Sequence, residues 1–93
     1  MHAIVTNVEF ELDRIDEATT MLADAIVPQA KALAGFVAGY WLHSADRALG
    51  TAIELFESYP AAEAALAGRP AQAPPGAPFT LISARLMDVA ATA

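Results

Sequence analysis

Apolar positions along the chain switch between two spacings, and the switches mark out the elements. Over residues 3–12, Ile4, Thr6, Val8 and Phe10 alternate with Val5, Asn7, Glu9 and Glu11. A period of two in β-branched and aromatic residues predicts a first strand, whose second face begins apolar and turns acidic. Ile15, Ala18, Leu22, Ala25, Ile26 and Leu33 then recur at helical spacing through Ala34, with Met21 at the edge of the stripe. Asp13 and Asp16 offer N-cap oxygens, Asp16 and Glu17 place negative charge at the helix start, Lys31 suits its end, and Gly35 stops it. Pro28 interrupts this helix by removing one hydrogen bond and crowding the preceding turn, so a kink or local break is expected near 24–27, with the helix resuming beyond it.

The period of two returns at 36–43, where Phe36, Ala38, Tyr40 and Leu42 alternate with Val37, Gly39, Trp41 and His43. Residues 44–50 are polar enough for a hairpin loop. Ile53 and Leu55 then stand opposite Ala52, Glu54 and Phe56 in a third strand over 51–57. Ser58 caps a second helix that tolerates Pro60 in its first turn, runs to Ala67 and ends at Gly68. Residues 69–78 hold four of the six prolines, which predicts an extended surface connection. A last strand covers 79–89, and 90–93 is a frayed tail.

The order β-α-β-β-α-β is that of a split βαβ sandwich, an α+β fold in a single domain over 1–93. Right-handed crossovers place strands one and three at the centre of one antiparallel sheet and both helices on one face. Strands two and four are apolar on both faces, and such a sheet needs cover on both sides. The chain has no third helix, so a second copy is the simplest cover. Val5, Val37, Trp41, Phe56 and Leu81 are assigned to this interface, and Ile4, Val8, Tyr40, Ile53 and Ile82 to the helix side.

Composition sharpens that expectation. Of the 52 hydrophobic residues in 93, 23 are alanine, which leaves 29 larger apolar side chains. Alanine favours helix but removes little apolar area from water. A chain of this size buries only roughly 60–65% of its unfolded surface, so its margin is thin. There is no cysteine to supply a disulfide, a thiolate nucleophile or a soft metal ligand. The formal charge of −6 disfavours nucleic acid and anionic membrane surfaces as partners. No apolar run reaches the roughly 20 residues of a spanning helix and no signal pattern opens the chain, so the default location is the cytoplasm.

Two short runs carry a resemblance. Gly35-Phe36-Val37 with Gly39-Tyr40, after a Pro-interrupted helix, resembles the start of strand two in dimeric α/β-barrel proteins of the antibiotic-biosynthesis-monooxygenase type. Ile53-Glu54-Leu55-Phe56-Glu57-Ser58 is similar to the end of their strand three. The resemblance implies two ferredoxin-like subunits whose sheets face each other in a shared barrel. It also implies a cleft between sheet and helices in each subunit that takes a small, often aromatic ligand. That family includes cofactor-free oxygenases, haem-degrading enzymes, isomerases and members without known activity, so the fold alone transfers no chemistry.

Candidate residues follow. A mid-strand Asn is disfavoured by β-propensity, so Asn7 needs a local compensation. In some relatives a strand-one Asn points into the cleft, and Asn7 matches that position approximately; the alternative is a hydrogen bond to a neighbouring side chain. Trp41 and His43 share a face, suiting an aromatic wall beside a base titrating near neutrality. Against that, His43 adjoins a polar loop, and Trp41 also suits the centre of a subunit contact. Glu54 lies within an apolar strand and needs a partner, for which Arg85 is the chemical match, or else a raised pKa. His2, at the chain start, is given no role. The relatives' haem ligand, a His on helix two, has no counterpart in Pro60-Ala61-Ala62-Glu63-Ala64-Ala65-Leu66. No metal-ligand spacing, phosphate loop or nucleophile elbow is present, so no cofactor is expected.

Two functions of different class remain. One is a domain that binds a small ligand near Asn7, Tyr40 and Trp41. The other is a cofactor-free monooxygenase or isomerase in which Asn7, His43 or Glu54 acts on a small aromatic or polyketide-like substrate. Purified protein should carry no stoichiometric metal by elemental analysis and no Soret band in its absorbance spectrum; finding either would overturn the expectation of no cofactor.

Overall fold

The period-two segments pair as one antiparallel sheet. In the computed structural model, which describes residues 1–93, β1 (His2–Phe10), β2 (Phe36–His43), β3 (Leu49–Phe56) and β4 (Phe79–Asp88) lie in the order β2-β3-β1-β4. Two helical segments connect them, giving an α+β arrangement compatible with a ferredoxin-like fold. The first comprises a 3-10 turn (Leu12–Arg14), α1 (Ile15–Met21), a π turn (Leu22–Ile26) and α2 (Val27–Lys31). The second is α3 (Tyr59–Ala67), which packs across β1, β3 and β4, while α2 packs on β2.

Pro28 leaves its mark without breaking the helix. With no N–H at residue 28, the carbonyl of Asp24 loses its α-helical donor. The chain widens by one residue instead. The N–H of Val27 reaches back to Leu22 across the π turn, and α geometry resumes at Val27. Gly35, at φ 77, then turns the chain into β2. Ser58 caps α3 by accepting a hydrogen bond from the Ala61 N–H at 3.3 Å.

Pairing register fixes which side chains share a face. On the helix-covered face the cross-strand rows, read from β2 to β4, are Phe36–Phe56–His2–Asp88, Gly39–Glu54–Ile4–Leu86, Trp41–Ala52–Thr6–Ala84 and His43–Gly50–Val8–Leu81. On the other face they are Ala38–Leu55–Ala3–Met87, Tyr40–Ile53–Val5–Arg85 and Leu42–Thr51–Asn7–Ser83. Tyr40 is 58% exposed and Leu42 52%, whereas Phe36 and Trp41 are half-buried. The helices therefore cover the Phe36–Trp41 side and leave the Tyr40–Leu42 side open.

The core is small. Ile4, Phe56 and Ala62 are fully buried at its centre, with Phe36, Ala61, Ala65, Leu66 and Leu86 against them. Phe36 meets Phe56 edge to face, 6.0 Å between centroids. Only nine of the 93 residues are fully shielded from solvent or nearly so, and four of the six hydrophobic ones among them are alanine.

Five face assignments made from alternation alone are corrected by this register. Phe56 and Trp41, expected at the open face, lie under the helices, as does Leu81. Tyr40 and Ile53, expected under the helices, lie on the open face. The reason is β3: Glu54 and Phe56 share a side, and both find partners beneath α3, which sends Ile53 and Leu55 outward. Val37 and Ile82 belong cleanly to neither set. Each is the extra residue of a β-bulge, one between Phe36 and Ala38, the other opposite Asn7 and Val8, and each is exposed.

Arg14 ties the proline-rich connection to the first helical segment. Its guanidinium donates to Glu11 and Glu17 and to the carbonyls of Gly76 (2.7 Å) and Ala77 (3.2 Å). The hydrogen bond from Arg14 holds the Glu17 carboxyl below the usual carboxylate range. Replacing Ser58 by Ala should lower stability by about 1 kcal/mol, read as a shifted urea midpoint with an unchanged slope.

Candidate functional site

Glu54 is the most deeply placed ionisable group of the candidates. Its side chain is 5% exposed, on the helix-covered face at the centre of the sheet. A lone carboxylate there would be expensive, and Arg69 answers it: Nη2 donates to Oε2 at 2.6 Å. Arg69 follows Gly68, at the end of α3, so the helix terminus delivers the guanidinium over the sheet. A longer contact, 3.5 Å, joins its Nη1 to Thr6 Oγ1. Arg85, the partner expected from chemistry, is on the opposite face and makes no ion pair; β1 lies between it and Glu54.

Arg69 lines a cleft of about 290 Å³ between the sheet and the residues that follow α3. Leu66, Pro70, Leu81 and Ile82 supply apolar wall, and Thr6 with Arg69 supply polar atoms. Arg69 spends one nitrogen on Glu54 and keeps other N–H donors free, with its side chain 27% exposed. A guanidinium held by a buried carboxylate therefore stands at one edge of this cleft with donors unspent.

The residues expected to converge do not. Asn7 and Tyr40 point to the open face, and Trp41 to the helix-covered one, because they occupy alternate positions in register. The Trp41 ring reaches over Gly39; a Cβ at residue 39 would sit 2.5 Å from it and would push the ring aside. His43 shares the Trp41 face but is exposed at the strand end, with Nδ1 3.0 Å from the Ser44 carbonyl. Asn7 finds its compensation in neighbours. Thr51 Oγ1 donates to Asn7 Oδ1 at 2.8 Å, and Asn7 Nδ2 donates to Ser83 Oγ at 3.2 Å.

Two groups escaped the sequence. Arg69 was read only as part of a surface connection. Its signal was that it is the one cation between Arg47 and Arg85, directly after a helix-ending glycine. His2 Nε2 lies 2.9 Å from Asp88 Oδ1 and its ring packs edge-on against Tyr59, with Nδ1 buried without a partner. No three His, Cys, Asp or Glu side chains are grouped to hold a metal ion, and no helix is long and apolar enough to cross a membrane. Comparison with protein-family models, with curated proteins and with solved structures found no match.

Removing the cation should be worse than removing both charges. Arg69→Met strands the Glu54 carboxylate and should cost about 2–3 kcal/mol; Arg69's partial exposure keeps this below the loss for a fully buried pair. Adding Glu54→Leu to it should recover much of that loss. Urea denaturation of the single and double variants checks the order, and a double variant less stable than Arg69→Met contradicts it.

Proposed function

We propose that this chain is one subunit of a homodimeric α/β-barrel protein that binds a small ligand, of about the size of one aromatic ring, in the cleft beside Arg69. The observation that carries the ligand reading is the Glu54–Arg69 pair at the edge of an apolar cleft. Ion pairs at this depth are poor stabilisers compared with apolar packing, so a retained guanidinium with free donors is better accounted for by a ligand than by stability. The ligand that suits the site has a small apolar body and one acidic or carbonyl oxygen group. The resemblance in strands two and three points to the same kind of cleft.

The dimer reading rests on the open face. Tyr40, Leu42, Val5, Ile53, Leu55 and Met87 are neighbours on this face, and Tyr40, Leu42 and Met87 are each half or more exposed, a grouping of apolar side chains that soluble monomers seldom leave uncovered. The occupant that fits is a second copy. The face carries one cation, Arg85, and one anion, Glu9, four residues apart along the sheet. At roughly 3.3 Å per residue they are about 13 Å apart and cannot meet within a subunit, but two copies related by a twofold axis can exchange them. Sheets facing each other in this way make a shared barrel.

A second reading, a cofactor-free monooxygenase or isomerase, draws on the same pair. Glu54 would accept a proton from the ligand and Arg69 would hold the anion that forms. Turnover lost in Glu54→Gln while binding persists would select it over simple binding.

Two measurements test the main reading. Wild-type protein should sediment as a dimer at micromolar concentration, and Leu42→Glu as a folded monomer; a folded wild-type monomer refutes the dimer. Benzoate, used as a probe, should shift the amides of Thr6, Leu66, Arg69 and Leu81 in ¹⁵N spectra. Shifts confined to the open face would remove the cleft from consideration.

A further inference from the structure

Between Arg85 and Glu9 the open face carries one polar row, Thr51–Asn7–Ser83, and that row is a directed chain of hydrogen bonds. Thr51 donates to Asn7 and Asn7 donates to Ser83, so the bonds run one way across β3, β1 and β4. All three residues are half-buried within the subunit. A one-way chain ends in unspent donors. The Ser83 hydroxyl hydrogen and the second Asn7 amide hydrogen have no acceptor among the side chains, while Asn7 Oδ1 and Thr51 Oγ1 keep a free lone pair each. Above this row lies Tyr40–Ile53–Val5–Arg85, whose two central side chains, Ile53 and Val5, offer no acceptor.

We infer that this row sets the register of the dimer: it selects one placement of the two facing sheets from the several that the apolar surface alone would allow. The inference rests on the homodimer reading and adds to it. Apolar packing between two flat faces is nearly indifferent to a slide of two residues or a shift of one strand, because one branched side chain replaces another. The polar row is not indifferent. Where the two rows cross near the twofold axis, each copy's unspent donors meet the other's free lone pairs. In a placement slid toward the Tyr40–Ile53–Val5–Arg85 row they face Val5 or Ile53 and lose water without gaining a partner. A single polar position fixes the register of paired helices by the same logic. The mid-strand asparagine, unfavourable for the strand itself, then has a use that its intrasubunit bonds do not exhaust.

The chain has no cysteine, so single cysteines introduced at Val5, Leu42, Ile53 or Met87 report which positions lie near the twofold axis by forming disulfides. In the otherwise native protein, one subset of these should cross-link and the rest should not. Two backgrounds then test the row. Asn7→Ala leaves both hydroxyls without their partner and should weaken the dimer roughly tenfold or more. The triple variant Asn7→Val, Thr51→Val, Ser83→Ala removes every polar group together. It should dimerise at least as tightly, but with cross-linking spread over positions that are silent in the native protein. Asn7→Ala is the milder change and serves alone if the triple variant does not fold. Unchanged cross-linking in either background, with a dissociation constant within twofold of native, overturns the inference and leaves the dimer standing. A wild type that is monomeric overturns both.

Discussion

How closely the helices approach the sheet is decided by alanine, and the rest of the structure depends on that distance. Ala62 lies directly on Ile4 and Phe56, and Ala18 and Ala30 are the buried residues of the first helical segment. Small side chains let α3 sit low, so that two aromatic rings and one isoleucine fill the space beneath it. The same choice limits what burial can contribute, because each alanine removes little apolar area from water. A fold with a core of this size has a thin margin, and the larger apolar residues that would thicken it lie on the face the helices do not reach.

The two faces of the sheet thus divide the labour. Under the helices the sheet carries aromatic packing at one end and, in the next row inward, a carboxylate–guanidinium pair beside a cleft. On the open side it carries aliphatic and aromatic surface crossed by one polar row. Glu54 and Asn7 are the two residues that look misplaced in their strands, and each marks the centre of one face. Both are satisfied by neighbours, Glu54 through a cation supplied from α3's terminus and Asn7 through hydroxyls on the adjoining strands. Satisfaction in each case leaves donors to spare.

Element order and most boundaries were legible because they rest on local chemistry: alternation in β2, the Ser58 cap, the glycines that end helices, and the prolines after Gly68. Even the disturbance at Pro28 was placed to within a turn, although its form was a π turn and not a break. Face assignment was much less legible. Alternation gives two sets per strand but not which set faces the helices, and the bulges at Val37 and Ile82 shift the count within β2 and β4. The cleft was the least legible part. Arg69 and Glu54 are 15 residues apart and meet only because α3 crosses the sheet at one angle, which no local pattern encodes. For the same reason Asn7, Tyr40 and Trp41, close in type and spacing, could not be seen to face opposite ways.

Guanidinium groups hold both ends of the proline-rich connection, Arg69 on the sheet at one end and Arg14 on the Gly76 and Ala77 carbonyls at the other. Between these two anchors the chain carries none of the strand pairing, and Ala71, Gln72, Pro74 and Pro75 are exposed. Loop closure grows by only about 0.6 kcal/mol for each doubling of length. Residues 72–75, beyond the cleft-lining Pro70 and Ala71, are therefore the place where this chain can take extra residues, a reporter or a whole inserted domain, with the cleft on one side and the sheet order on the other left as they are.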